Sequence, residues 1–223
     1  MTIQQALIAM IQQADRHGAG RLLEAWGDEH GYERLLIEVL EPTLLMIGEE
    51  WLSSEAFTLA QAYVAAKVAE DALLKIAERN KDGALPSPTR GPVVIGNVEE
   101  DFHSLGRRML GIFLASDGWV VHDLGNDVPA GTFVDKAVEV GARVIGVSAM
   151  MLTTAHNIKQ LRAELDRRGL SGRIQLAVGG AVFLVRPGLD REVGGDGTAR
   201  TALEAIALFR RLGEASSRKE ATP

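Results

Sequence analysis

The chain has 223 residues, 46% of them hydrophobic and 24% charged, enough apolar material to bury a core in one large domain or two small ones. With 30 acidic against 24 basic residues the net charge is −6, which argues against a surface that grips nucleic acid, because phosphate binding needs a basic face. Cysteine is absent, which excludes disulfides, thiolate metal sites and a cysteine nucleophile.

The opening stretch, "MTIQQALIAMIQQADRHGAG", has apolar residues at helical spacing but no basic start, no continuous apolar core and no cleavage signal, so it does not read as a secretion signal. No run is long enough to span a bilayer, and the expectation is a cytoplasmic protein without a membrane partner. Ile3, Leu7, Met10 and Ile11 mark a first helix, which Gly18 and Gly20 are expected to close. A short second segment holds Leu22, Leu23 and Trp26. The third, "YERLLIEVLEPTLLMIGEEWL", carries a stripe through Leu35, Leu36, Val39 and Leu40, and Pro42 is expected to break or restart it. An alanine-rich fourth, "FTLAQAYVAAKVAEDALLKIAER", permits close helix packing, so residues 1–80 are predicted to form a four-helix bundle.

The proline- and glycine-bearing stretch "NKDGALPSPTRG" predicts a linker over residues 81–91. Beyond it the period changes. "PVVIGNV", "WVVHDLG", "RVIGVSAM" and "IQLAVGG" are short strand-like runs, and helical patterns lie between them. Residues 92–214 are therefore predicted to form an α/β domain, a doubly wound parallel sheet of flavodoxin-like type, with 215–223 as a polar tail. Such sheets bind ligands beyond the carboxyl ends of their strands.

The unusual residues gather at those ends. The first strand runs into "EDFHSLG", with Asp101 two residues before His103 and Gly106 after it. A carboxylate bonded to one imidazole nitrogen fixes the tautomer and raises the basicity of the other, which suits a general base or a metal ligand. Alternatively Asp101 caps the following helix and His103 is merely exposed. After the third strand, Ser148, Thr153 and Thr154 offer hydroxyls, although either threonine could simply cap the next helix. His156 falls in the first turn of that helix and is expected to be solvated. Gly179 and Gly180 end the fourth strand, where missing side chains allow a close approach or make a tight turn. Asp196 and Gly197 mark a further glycine-rich turn. There is no G-x-G-x-x-G after the first strand, no P-loop, no H-E-x-x-H and no G-x-S-x-G around Ser148. The five histidines are scattered, so His103 serves a metal only if a cofactor supplies the remaining ligands.

Together, "DFHSLG", "SAM" and "GG", in that order at the ends of the first, third and fourth strands, resemble the D-x-H-x-x-G, S-x-L and G-G signature of the cobalamin-binding fold. "VVHDLGNDVP" resembles its V-x-D-L-G-x-D-V-P stretch, "GDGTARTALEAI" its closing loop and helix, and "VLEPTLLMIGEEWL" the helical module that precedes it in corrinoid proteins. The full chain looks like the small corrinoid carriers of methyltransferase systems. The resemblance implies cobalamin, as methylcobalamin or a related corrinoid, with His103 as the lower ligand to cobalt. It also implies that Asp101 holds the other ring nitrogen and Thr154 bonds to Asp101, so that the ligand can gain or lose a proton. Ser104, Gly106, Ser148, Thr153, Gly179, Gly180, Asp196 and Gly197 would line the cofactor or its nucleotide tail. Three departures stand out: Glu99-Glu100 before the aspartate, Arg107 where lysine is common, and Leu152 where a tail-facing threonine is usual.

The resemblance implies a carrier that moves a methyl group from a methyl-donor methyltransferase to an acceptor methyltransferase, such as one acting on a folate. The alternative is a cobalamin-dependent sensor that signals to a partner. Trp51 resembles the tryptophan of photosensory helical modules and would then touch the cofactor. Those modules follow it with a histidine and a later Glu-His pair, where this chain has Leu52 and Gln61-Ala62. Trp51 as a residue of the bundle core is the plainer reading.

Overall fold

A computed structural model describes residues 1–53, 57–80 and 88–220, and the chain divides into two compact units, Met1–Ala84 and Leu85–Pro223. In the first unit, α1 (Ile3–Gln12) opens with Thr2, whose hydroxyl accepts from the Gln5 N–H while the Gln5 side chain accepts from the Thr2 N–H. Helix α2 (Arg16–His30) contains Gly18 and Gly20 instead of beginning after them. The cap explains the difference: Asp15 accepts from the Gly18 N–H at 2.8 Å, and a Cβ at Gly18 would sit 2.1 Å from that carboxylate.

Next come α3 (Tyr32–Arg34), a π-helical turn (Leu35–Leu40) and α4 (Glu41–Ser53), then α5 (Leu59–Asn80). Pro42 does not break the helical path. It lacks the N–H that would bond to the Glu38 carbonyl, and Gln4 of α1 donates its side-chain amide to that carbonyl at 2.7 Å instead. The widened turn absorbs the ring, and Thr43 closes the gap by donating to the Val39 carbonyl at 2.6 Å. Leu7, Ile11, Leu23, Leu36, Leu40, Ala69 and Leu73 form the core, and Arg16 pairs with both Asp71 oxygens at 2.7 and 2.8 Å across α2 and α5. Trp51 lies on α4, but its side chain is outside the described residues.

Most of the stretch expected as a linker, 81–87, lies outside the described residues. The second unit runs β1 (Pro92–Asn97), α6 (Leu105–Ser116), β2 (Val120–Asp123), α7 (Ala130–Val140), β3 (Val144–Ser148), α8 (Leu152–His156), α9 (Ile158–Arg167), β4 (Gln175–Gly179), α10 (Ala181–Val185), α11 (Leu189–Glu192), β5 (Gly197–Thr198) and α12 (Ala202–Glu220). All five strands are parallel in the order β2-β1-β3-β4-β5, so the direction of winding switches between β1 and β3. Residues 215–220, expected within a polar tail, continue α12, where Ser216 is buried and donates to the Arg173 carbonyl.

Alternation along the strands feeds two apolar layers. Val94, Ile145, Val147, Leu176 and Val178 pack on one face with Phe133 and Leu161, while Val93, Ile95, Val144 and Ala177 pack on the other with Leu114, Leu208 and Phe209. Two strand glycines make room for rings: a Cβ at Gly96 would sit 2.6 Å from Phe133, and one at Gly146 would sit 2.7 Å from Phe209. At the lower edge, Asp117 accepts from Arg90, Arg210 and the Trp119 indole, and the Thr89 and Arg90 N–H groups donate to the Gly118 carbonyl. That knot fastens the incoming chain to the sheet.

Candidate functional site

The switch point places the loop after β1 beside the loop after β3. Val98 N–H donates to the Ser148 carbonyl, and Asn97 exchanges backbone bonds with Gly125 and Val128 of the loop after β2. Within this frame Asp101 is completely buried. Its Oδ1 accepts from the His103 N–H (3.0 Å) and the Asn97 amide (2.9 Å), and its Oδ2 accepts from the Met150 N–H (2.7 Å) and the Thr154 hydroxyl (2.8 Å). Burial pushes the carboxyl up, but these four donors, Met150 first, outweigh it and hold Asp101 below the ordinary aspartate value.

Asp101 is therefore not a helix cap. The N-cap of α6 is Ser104, which makes no side-chain bond there, and the N-cap of α8 is Met151, so neither threonine caps α8. Thr154 bonds to Asp101 instead, and Thr153 is exposed. The His103 ring is 51% exposed with Nδ1 3.4 Å from Asp101 Oδ1, slightly long for a hydrogen bond. Among the described residues no three His, Asp or Glu side chains come together to hold a metal ion. His156 lies away from this site, 3.1 Å from Glu192.

The two glycines after β4 differ. Gly180 has φ 115° and ψ 168°, and a Cβ there would sit 2.0 Å from the Ala149 carbonyl oxygen, so what approaches it is the chain itself. Gly179, like Gly106, has nothing within 4 Å of a Cβ position and opens on free space. Around these positions Phe102, Met150, Met151 and Leu152 are exposed, Phe102 at 65%. Thr198 Oγ1, one residue below the rim on β5, is buried without a hydrogen-bond partner. Asp196 lies lower, level with Leu176 and about 10 Å down the strand from the rim. Its carboxylate accepts from the Leu176 N–H at 2.7 Å and from Arg162 at 2.6 Å. Gly197 beside it packs against Leu208.

Two residues in the network are not singled out by sequence reasoning as site groups. Asn97, fully buried at the end of β1, donates to Asp101, and Arg107, 6% exposed, donates through Nε to Asn97 Oδ1 at 2.7 Å and through Nη1 to Asp123. A carboxamide inside an otherwise apolar strand, with an arginine ten positions on, is the signal that could have found them.

The protein-family model for the B12 binding domain matches residues 91–207. Dimethylamine corrinoid protein 2 of Methanosarcina mazei is 37% identical over 62% of this chain, and the match spans 64% of that relative's length. A corrinoid protein of Desulfitobacterium hafniense is 33% identical over 75% of this chain and 76% of its own. The monomethylamine corrinoid protein of Methanosarcina barkeri superposes with a TM-score of 0.76 over 93% of this chain and 96% of that one at 22% identity. A chain of the methanol:cobalamin methyltransferase complex of the same species superposes at 0.52, 20% identical, over 95% and 80%. With a buried aspartate behind a half-exposed histidine at the switch point of a five-stranded parallel sheet, and with these likenesses in sequence and fold, the chain belongs to the B12-binding family of corrinoid proteins.

Proposed function

We propose that this protein is a corrinoid methyl carrier that binds cobalamin with His103 as the lower ligand to cobalt and works between a methyl-donor methyltransferase and an acceptor methyltransferase. The residues fit that group. A lone imidazole can hold a metal only when a macrocycle supplies the other positions, and here the segments after β1 and β3 that meet at Asp101 also carry the exposed apolar side chains of Phe102, Met150, Met151 and Leu152, suited to the face of a large ring. Gly106 and Gly179 leave space where side chains would otherwise project, and Thr198 Oγ1 is an oxygen still in need of a partner.

When bound, the corrinoid supplies a cobalt centre that accepts and gives up a methyl group. The chain supplies position. Four donors, from the end of β1, the loops after β1 and β3, and α8, fix the Asp101 carboxylate, and Asp101 in turn faces His103 Nδ1, which leaves Nε2 on the far side of the ring for cobalt. Phe102, Met150, Met151 and Leu152 would exclude water from the lower face of the ring. The relatives named as dimethylamine corrinoid proteins make a methylamine the first donor class to try.

The observation that carries this reading is the fully buried Asp101 carboxylate beside a half-exposed imidazole: a charge is taken out of water and hydrogen-bonded by four donors directly behind a ring nitrogen that can be offered to a ligand. The test is to load the protein with hydroxocobalamin, desalt it and record its visible spectrum. The protein is expected to stay coloured, and His103→Ala to change the spectrum while leaving the unfolding midpoint of the apo protein in place. A colourless protein refutes cofactor binding, and an unchanged spectrum in His103→Ala refutes the ligand.

A further inference from the structure

The Asp101–His103 pair does not end at Asp101. Asn97 Nδ2 donates both to Asp101 Oδ1 (2.9 Å) and to the His103 carbonyl (3.1 Å). Since the His103 N–H donates to the same Asp101 oxygen, both backbone polar groups of residue 103 are tied to buried side chains. This depends on which way the Asn97 amide points, because its two ends differ by a single atom but have opposite hydrogen-bonding roles. Turned over, the amide would aim its oxygen at the Asp101 carboxylate, replacing a donor with a repelling acceptor.

Arg107 removes that choice. A guanidinium only donates, so its Nε at 2.7 Å obliges the carboxamide to present Oδ1 to it and the NH2 group to Asp101 and His103. Arg107 is itself fixed by Asp123 at the end of β2 and by Asn126 Oδ1 at 3.1 Å in the loop that follows. Asn97 cannot drift, because it is the last residue of β1 and lies in register with Ser148.

We infer that Asn97 and Arg107 are positioning residues for the imidazole: Arg107 sets the Asn97 amide in its donor orientation, and Asn97 fixes the His103 backbone and Asp101 so that the ring faces the cofactor. The inference rests on the reading of His103 as the cobalt ligand. Arg107 occupies a position where the family resemblance leads one to expect lysine. A lysine carries its three donors on one nitrogen and has no separate Nε, Nη1 and Nη2 with which to meet Asn97, Asp123 and Asn126 at once.

The test uses the full chain reconstituted anaerobically with cob(II)alamin, with histidine 15N-labelled and all other nitrogen 14N. Electron paramagnetic resonance then reports whether the axial nitrogen is a protein imidazole, which gives a doublet splitting, or the cofactor's own base, which gives a triplet. The wild type is expected to give the doublet. Asn97→Ala and Arg107→Met are expected to lower the ratio of imidazole-bound to unbound cofactor by about tenfold or more, the equivalent of one hydrogen bond to a charged group. Arg107→Lys should recover part of the loss.

A wild-type spectrum without the doublet overturns both the ligand assignment and this inference. A wild-type doublet that persists undiminished in Asn97→Ala and Arg107→Met, while His103→Ala loses it, overturns the positioning role alone. An Asn97→Ala protein that melts lower yet keeps the wild-type ratio marks a purely structural role and also overturns the inference. Should Asn97→Ala fail to fold, Arg107→Met against Arg107→Lys decides the matter, and equal wild-type ratios in those two count against it.

Discussion

Replacing Gly180 by alanine tests whether the rim after β4 is shaped by the chain or by its ligand. Gly180 sits at φ 115° and ψ 168°, a region open almost only to glycine, where a side chain costs on the order of 1–3 kcal/mol. The new Cβ would also lie 2.0 Å from the Ala149 oxygen and 2.8 Å from its carbon, far inside van der Waals contact, and both are backbone atoms that cannot rotate away. Forcing the loops apart adds about 1–3 kcal/mol more. The expected outcome is an apo protein whose second unit melts at least about 5 °C lower.

Gly179→Ala is the matched control. It adds the same methyl group one residue earlier, where nothing lies within 4 Å, so apo stability should change by less than about 0.5 kcal/mol. Its cobalamin affinity should nonetheless fall about tenfold, because the open space would be taken up by the cofactor. Thermal unfolding of the apo proteins and spectroscopic titration with hydroxocobalamin separate the two effects. If Gly180→Ala melts with the wild type, or if Gly179→Ala destabilises the apo protein as much, the account of this rim is wrong.

Thr154→Val keeps the shape but removes one of the four donors to a buried carboxylate, and should cost about 1.5–3 kcal/mol in urea unfolding. A loss below about 0.5 kcal/mol would show that the hydroxyl bond to Asp101 does not contribute. Asp117 is held below the usual aspartate value, with the Arg210 bond the first cause and burial opposing it. Because its folded pKa is depressed, the stability it contributes is present above about pH 4 and is lost as pH falls through the folded value. Asp117→Asn should therefore lower stability at pH 7 by about 1 kcal/mol and leave a shallower acid limb; equal slopes for the two proteins would contradict this.

The parallel sheet could be read from Val- and Ile-rich runs spaced by helical patterns, and its ligand edge from the polar residues that end them. The hydrogen bonds behind His103 could not be read in the same way, because Asp101 and Thr154 lie 53 positions apart and meet only once β1 and β3 pair. Arg107 stands out in the sequence only as a departure from the family's lysine, and Asn97 not at all, because a strand-ending asparagine and a helix arginine are ordinary alone and unusual only in contact. Pro42 looked like a break, since nothing in its own segment shows that Gln4 would satisfy the carbonyl it leaves free. Loop similarity points Asp196 toward the cofactor but does not show that a two-residue β5 sets it level with Leu176, where its carboxylate bonds to the strand backbone and Arg162. At Gly180 the sequence leaves a ligand's approach and a tight turn open, and the group that comes close in the fold is the Ala149 backbone.

Gly96 and Gly146 have a consequence for how the protein can change over time. Each strand beside the winding switch is plugged by one aromatic ring, β1 near its carboxyl end by Phe133 from one layer and β3 at its middle by Phe209 from the other. Neither partner of a plug can be exchanged alone: enlarging the glycine collides with the ring, and shrinking the ring opens a void beneath the loops that carry His103 and Met150. Divergence within this lineage should therefore move glycine and phenylalanine together as couples, so the foundation of the rim drifts in paired steps while the rim itself is free to vary one residue at a time.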